Sequence, residues 1–198
     1  SDNPFNNTIW SNNLINGKNI FYLKNIQDTE FQLNETTGYV ACGWCNNVTF
    51  RNANNLSNNS QAVLFYKTNA SMVENITSFD NKEGIYLFYS GDNKIVNSTF
   101  RNNYDYGIYI DTNSLNNIID TGIVYHNWDG IYINADGNNI TKSNISKNRD
   151  TGPGFPNKGI RLYSNNNTVD NSNLTNNGGW ATDAEIYIDF QNNKILNN

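Results

Sequence analysis

Hydrophobic and polar residues alternate along this chain in short runs, and the runs return at a nearly constant step. Asn93-Lys94-Ile95-Val96-Asn97-Ser98-Thr99-Phe100 leads through a polar corner to Gly107-Ile108-Tyr109-Ile110. Asn116-Asn117-Ile118-Ile119-Asp120-Thr121-Gly122-Ile123 then leads through a second corner to Gly130-Ile131-Tyr132-Ile133. Ile95 to Ile118 is a step of 23 residues, and so is Ile108 to Ile131. Alternation with period two predicts strands, and the Asn, Gly, Ser and Asp clusters between them predict tight corners. No segment has a capped amphipathic helical pattern. A fixed step of about 20–30 residues marks a solenoid, in which each coil needs its neighbours to bury its apolar face.

The pattern extends over the whole chain. Earlier coils are closed by Ile20-Phe21-Tyr22-Leu23, Gly38-Tyr39-Val40, Ala62-Val63-Leu64-Phe65 and Gly84-Ile85-Tyr86-Leu87. Later ones are closed by Gly159-Ile160-Arg161-Leu162 and Glu185-Ile186-Tyr187-Ile188. The first coil is expected to open with residues 8–14 as the first half of a repeat. The expected fold is therefore all-β: one parallel β-helix domain over residues 1–198, of about eight coils. At about 4.8 Å per coil it makes a rod of roughly 40 Å. Ile, Val, Phe and Leu fill the interior, and Asn and Ser at equivalent corners stack as hydrogen-bonded ladders.

The motif N-x-I/V-x-x-S/N-x-F/I, x-x-N, G-I-x-I/L resembles the repeat of pectin-lyase-like parallel β-helix proteins. It is closer to the Asn-rich versions in surface-layer and adhesin-like proteins of archaea and bacteria. The resemblance implies a right-handed helix with three sheets per coil. It implies no single function, because the family holds lyases, hydrolases, epimerases and non-catalytic surface modules.

Composition narrows the choice. Asp and Glu outnumber Lys and Arg by 18 to 13. A mildly acidic chain lacks the basic stripe that nucleic acid requires. No apolar run is long enough to span a bilayer. Twelve N-x-S/T triplets begin at Asn6, Asn34, Asn47, Asn55, Asn58, Asn69, Asn75, Asn97, Asn139, Asn144, Asn166 and Asn173. They suit an exported glycoprotein, although a chain rich in Asn, Ser and Thr also makes such triplets by chance. Both ends break off mid-pattern without a polar cap. That predicts flanking domains of a longer polypeptide, or end-to-end self-association through open strand edges.

Candidate chemistry lies on the outer side of the G-I-x-I strands. The flanking isoleucines point inward, so the residue between them points out. The resulting row is Leu64, Tyr86, Tyr109, Tyr132, Arg161 and Tyr187, and the next outward row contains Phe88, Asp111, Asn134, Tyr163 and Asp189. Aromatic rings with polar neighbours can stack on sugars, which makes a polysaccharide or cell-wall glycan the expected partner. The competing explanation is that tyrosine suits a strand surface and packs on its cross-strand neighbours. Insertions at residues 53–61, 149–158 and 178–184 are expected at one corner before these strands. Trp128, Phe155 and Trp180 lie there, either as one wall of a groove or as a cover for the coil edge.

An enzyme would need an acid/base set. Asp105 and Asp129 fall at one corner of adjacent coils, with His126 beside them and Arg149 and Asp150 on the next coil. This is the best such cluster in the chain, but carboxylates at corners are also ordinary turn chemistry. The motif sets of pectinolytic hydrolases and alginate epimerases are absent. The leading expectation is a non-catalytic extracellular module, with a polysaccharide-active enzyme and a self-assembling surface-layer or filament subunit as alternatives. Cys42 and Cys45 are expected to form a local disulfide across a corner, since neither a helix N-terminus nor further metal ligands accompany them. No cofactor or metal site is legible, although single Asp or Asn corners can take Ca²⁺ weakly.

Overall fold

A computed structural model describes residue 9 and residues 13–148, 157–178 and 184–198. Among these residues every regular element is a strand, and the strands wind into a parallel β-solenoid. The G-I-x-I segments form a nine-stranded sheet. Its core column runs Ile85, Ile108, Ile131, Ile160 and Ile186 in strict register. The first strand of this sheet, Leu14–Ile15, is antiparallel to Lys18–Lys24, so eight of the nine are parallel rungs. The expected opening half-repeat thus ends in a hairpin. Asn16 and Gly17 both have positive φ, as a two-residue hairpin turn requires.

The remaining strands form one twelve-stranded sheet that forks. The strand Met72–Phe79 pairs through its first half with Lys94–Val96 and through its second half with Thr99–Arg101. From there two arms run separately up the rod. The three faces implied by the family resemblance are present, but two of them share hydrogen bonds at the fork. The insertion expected at residues 53–61 is not a loop throughout. Residues 53–57 belong to the long strand Asn46–Ser57, whose register shifts between Ala53 and Leu56, and Leu56 is buried in the core.

The corners explain the abundance of asparagine. At one corner the backbone turns through positive φ at Asn75, Asn97, Thr121, Lys142, Asn171 and Asn197. At the next it does so at Asn58, Asp80, Asn102, His126, Lys147 and Asn176. Asparagine tolerates this left-handed conformation better than other non-glycine residues. A second set of asparagines points inward. The backbone N–H of Asn81 donates to the Asn103 side-chain oxygen at 3.1 Å, Asn103 to Asn127 at 2.9 Å, and Asn127 to Asn148 at 3.1 Å. Asn93, Asn117, Asn138 and Asn167 repeat the arrangement at another corner at 2.8–2.9 Å. These corners are buried, so each unmet N–H would cost about 1–3 kcal/mol.

Glycine opens each G-I-x-I strand for a steric reason. A Cβ on Gly84, Gly107 or Gly130 would lie 2.4–2.7 Å from the carbonyl oxygen of the next glycine in the column. At these three positions a side chain would force the neighbouring coil to shift.

Candidate functional site

Two surface features stand out. The first is an aromatic column on the outer side of the nine-stranded sheet. Tyr86, Tyr109, Tyr132, Arg161 and Tyr187 occupy one register column, as the alternation predicts. Tyr86 and Tyr109 stack with centroids 4.8 Å apart and planes 17° apart. Tyr109 meets Tyr132 edge-on at 5.0 Å. Arg161 interrupts the column, and Tyr163 bridges the gap, 5.3 Å from Tyr132 and 5.6 Å from Tyr187. Tyr106, which the sequence reading left out, packs 5.0 Å from Tyr109 and 5.2 Å from Tyr132. Towards the other end Phe88, Tyr66 and Trp44 continue the contacts. Leu64 keeps its place in the register but is buried at 6% exposure, between Ala41 and Tyr86 in its column.

Because several of these rings lie face to face, much of the free surface is ring edge and phenol. Asp111 is the polar hub of the strip. Its carboxylate accepts from the Tyr86 hydroxyl at 2.8 Å, the Thr112 backbone N–H at 2.7 Å and the Asn134 amide at 3.3 Å. Burial pushes the Asp111 carboxyl up, but these hydrogen bonds outweigh it and hold the group below the usual carboxylate range. Burial, followed by hydrogen bonding and charge from Asp111, raises the Tyr86 phenol. Tyr106 is pushed up to about 12, chiefly by burial and then by Asp129. The strip therefore presents protonated phenols around one fixed carboxylate at neutral pH.

The guanidinium of Arg161 is committed within the protein. It donates to both oxygens of Asp129, and Oδ1 also accepts from the Lys158 backbone N–H at 2.7 Å. Asp129 is 3% exposed. Burial raises its carboxyl above the ordinary value, against the lowering influence of Arg161.

The second feature is a corner cleft of about 530 Å³ lined by residues that include Asp80, Asn102, Tyr104, Asp105, His126 and Trp128. Tyr104 is 67% exposed and His126 is exposed at its positive-φ corner. Asp105 is paired with Lys82 at 3.3 Å. The cleft thus unites Asp105, His126 and Trp128, but Asp129 is not among its lining residues and is held by Arg161 instead. Arg149, Asp150, Phe155, Trp180 and Asn6 lie outside the described residues.

Cys42 and Cys45 form a disulfide, buried at the end of the strand Thr37–Gly43. Among the described residues no group of three His, Cys, Asp or Glu could hold a metal ion, and no helix is long and apolar enough to cross a membrane.

A family model described as a right handed beta helix region matches residues 1–128 and again residues 52–197. No curated protein and no solved structure matches the chain. The two overlapping matches span nearly its whole length, and the chain belongs to the right-handed β-helix family.

Proposed function

With a right-handed β-helix as the premise, we propose that this chain is a non-catalytic module of an extracellular or cell-surface protein. It is a stiff rod that spaces or adheres, and it meets glycans along its nine-stranded face. The observation that carries this reading is the aromatic column from Tyr86 to Tyr187, with Asp111 at its centre. An extended polysaccharide lying along the rod meets a ring edge and a phenol at rung after rung. Such a surface offers apolar contact and hydrogen bonds together. The disulfide fits an oxidising compartment.

The test is a glycan array probed with the purified chain and with a Tyr86→Ala, Tyr109→Ala, Tyr132→Ala variant. Binding by the parent that is lost in the still-folded variant supports the reading. A parent that binds no polysaccharide removes the glycan-binding face and leaves a spacer.

A polysaccharide-active enzyme is the second reading, favoured by Asp105 and His126 around one cleft with Tyr104 and Trp128. Its general acid or base would be Asp105 or His126. Polysaccharide turnover abolished by both Asp105→Asn and His126→Ala would replace the first reading with this one.

A further inference from the structure

The N-x-S/T triplets are not spread evenly over the rod. Forty-four asparagines and 28 serines and threonines placed at random in 198 residues would make about six triplets, and the chain has twelve. None of the eleven that start among the described residues lies within a strand of the nine-stranded sheet. The eleven described ones sit at corners and on the forked sheet. Asn34, Asn47, Asn58, Asn69, Asn75, Asn97, Asn144, Asn166 and Asn173 are exposed, and Asn55 and Asn139 are half-buried.

The buried asparagines complete the contrast. Ten are buried among the described residues, and none of them begins a triplet. For one ladder the alternation is itself the reason, since the third residue falls in the core, as in Asn93-Lys94-Ile95. The other ladder places an acidic residue there in Asn81-Lys82-Glu83, Asn103-Tyr104-Asp105 and Asn127-Trp128-Asp129. In seven of the eleven described triplets the same alternation buries the middle residue. Ile140 and Ile145 lie in the core, while Asn139 and Thr141, and Asn144 and Ser146, flank them on the outer side.

We propose that the chain is N-glycosylated on the two faces built by the forked sheet and at their corners, and that the nine-stranded face is left free of glycan. This rests on the extracellular placement proposed above. In the transfer, the asparagine amide nitrogen forms a bond to C1 of a sugar. The bond from C1 to the phosphate of an activated oligosaccharide donor breaks, the phosphate leaves with the electron pair, and the amide loses one proton to a base on the transferase. The product keeps one N–H. Glycans fit in the folded rod because the eleven described acceptor asparagines are exposed or half-buried, whereas a ladder nitrogen donates to strand carbonyls, as Asn127 does to Phe100 at 3.0 Å.

Register also limits occupancy. Asn144 and Asn173 are direct partners on neighbouring coils, about 4.8 Å apart at strand spacing. A glycan on one crowds the other, so each molecule carries the modification on one of the pair.

The experiment is glycopeptide mass spectrometry on the protein from the cells that produce it, with surface and intracellular fractions recovered separately. The expected result is glycan on Asn75 or Asn97 and on Asn144 or Asn173, with Asn93, Asn117 and Asn127 unmodified. Protein recovered from the outer surface with all eleven described triplets bare overturns the coat while leaving the extracellular reading intact. Protein found only inside the cell overturns the extracellular reading and, with it, the basis of the coat. Glycan on both Asn144 and Asn173 in one peptide overturns the occupancy rule.

Discussion

Two stacks of like residues repeat along this rod at coil spacing, one inside and one outside. The inner stack is asparagine at rung after rung: Asn81, Asn103, Asn127 and Asn148. The outer stack is mixed, with tyrosine interrupted by Arg161 and flanked by Asp111 and Asn134. The inner position must supply an acceptor for one coil's N–H and a donor for another coil's carbonyl, out of water. A short amide does both, and at a few buried corners a hydroxyl does too, as Ser114 does between Ser90 and Leu87, so the choice there is narrow. On the outer face rings gain about 0.5–1.5 kcal/mol per pair, but water can replace a missing hydrogen bond. Identity is freer outside, and that freedom is where recognition can be written.

The largest expected effect tests the inner stack. Asn127→Ala removes the acceptor for the Asn103 backbone and the donors to Phe100 and Asn148. It should cost about 3 kcal/mol in urea unfolding. A loss below about 1 kcal/mol would mean that water enters the corner and that the two stacks are not different in kind. Gly107→Ala comes next. Its Cβ would sit 2.7 Å from the Gly130 oxygen and 2.6 Å from Val124 Cγ1, both within the packed coil. An overpacking loss of about 2 kcal/mol is expected, read from the same denaturation curves. Tyr109→Ala should cost less, about 1 kcal/mol, although the ring touches Tyr86, Tyr106 and Tyr132. A loss equal to that of Asn127→Ala would make the outer column structural after all.

The solenoid itself was legible because its signal is redundant: Ile95, Ile119 and Ile140 recur with alternation on either side and each lands in the core, although the 23-residue step from Ile95 pointed to Ile118, which is half-buried and pairs with Lys94. The outward tyrosines followed from the same alternation. The hairpin at Asn16-Gly17 had a sequence signal that the repeat reading overrode. The fork did not, since Met72–Phe79 runs unbroken through Asn75 while Lys94–Val96 and Thr99–Arg101 are interrupted at Asn97, and both corners read as the same N-x-T pattern. The pairing of Arg161 with Asp129 was hidden for another reason. The two residues are 32 apart, and only the stacking of neighbouring coils brings the guanidinium over the carboxylate. That pairing is why the corner cluster of Asp105, His126 and Asp129 divides between a cleft and a buried ion pair.

The smallest expected effect concerns Asp111, the one carboxylate in the aromatic strip with a depressed pKa. A folded pKa below the unfolded one means that the charged form is held by native contacts. The contribution is present in full above the unfolded value and is lost as pH falls through the folded one. Tyr86 acts in the opposite direction of pH. Its raised phenol contributes below its unfolded pKa and loses that contribution as pH rises through the higher folded value. Asp111→Asn should therefore lower the melting temperature by a constant small amount near neutrality, and the gap to the parent should close as the acid limb is entered. A gap that stays open at acid pH would show that the Asp111 hydrogen bonds do not depend on its charge. The outer strip would then be held by ring packing and by hydrogen bonds without charge dependence, which brings it closer in kind to the ladders inside.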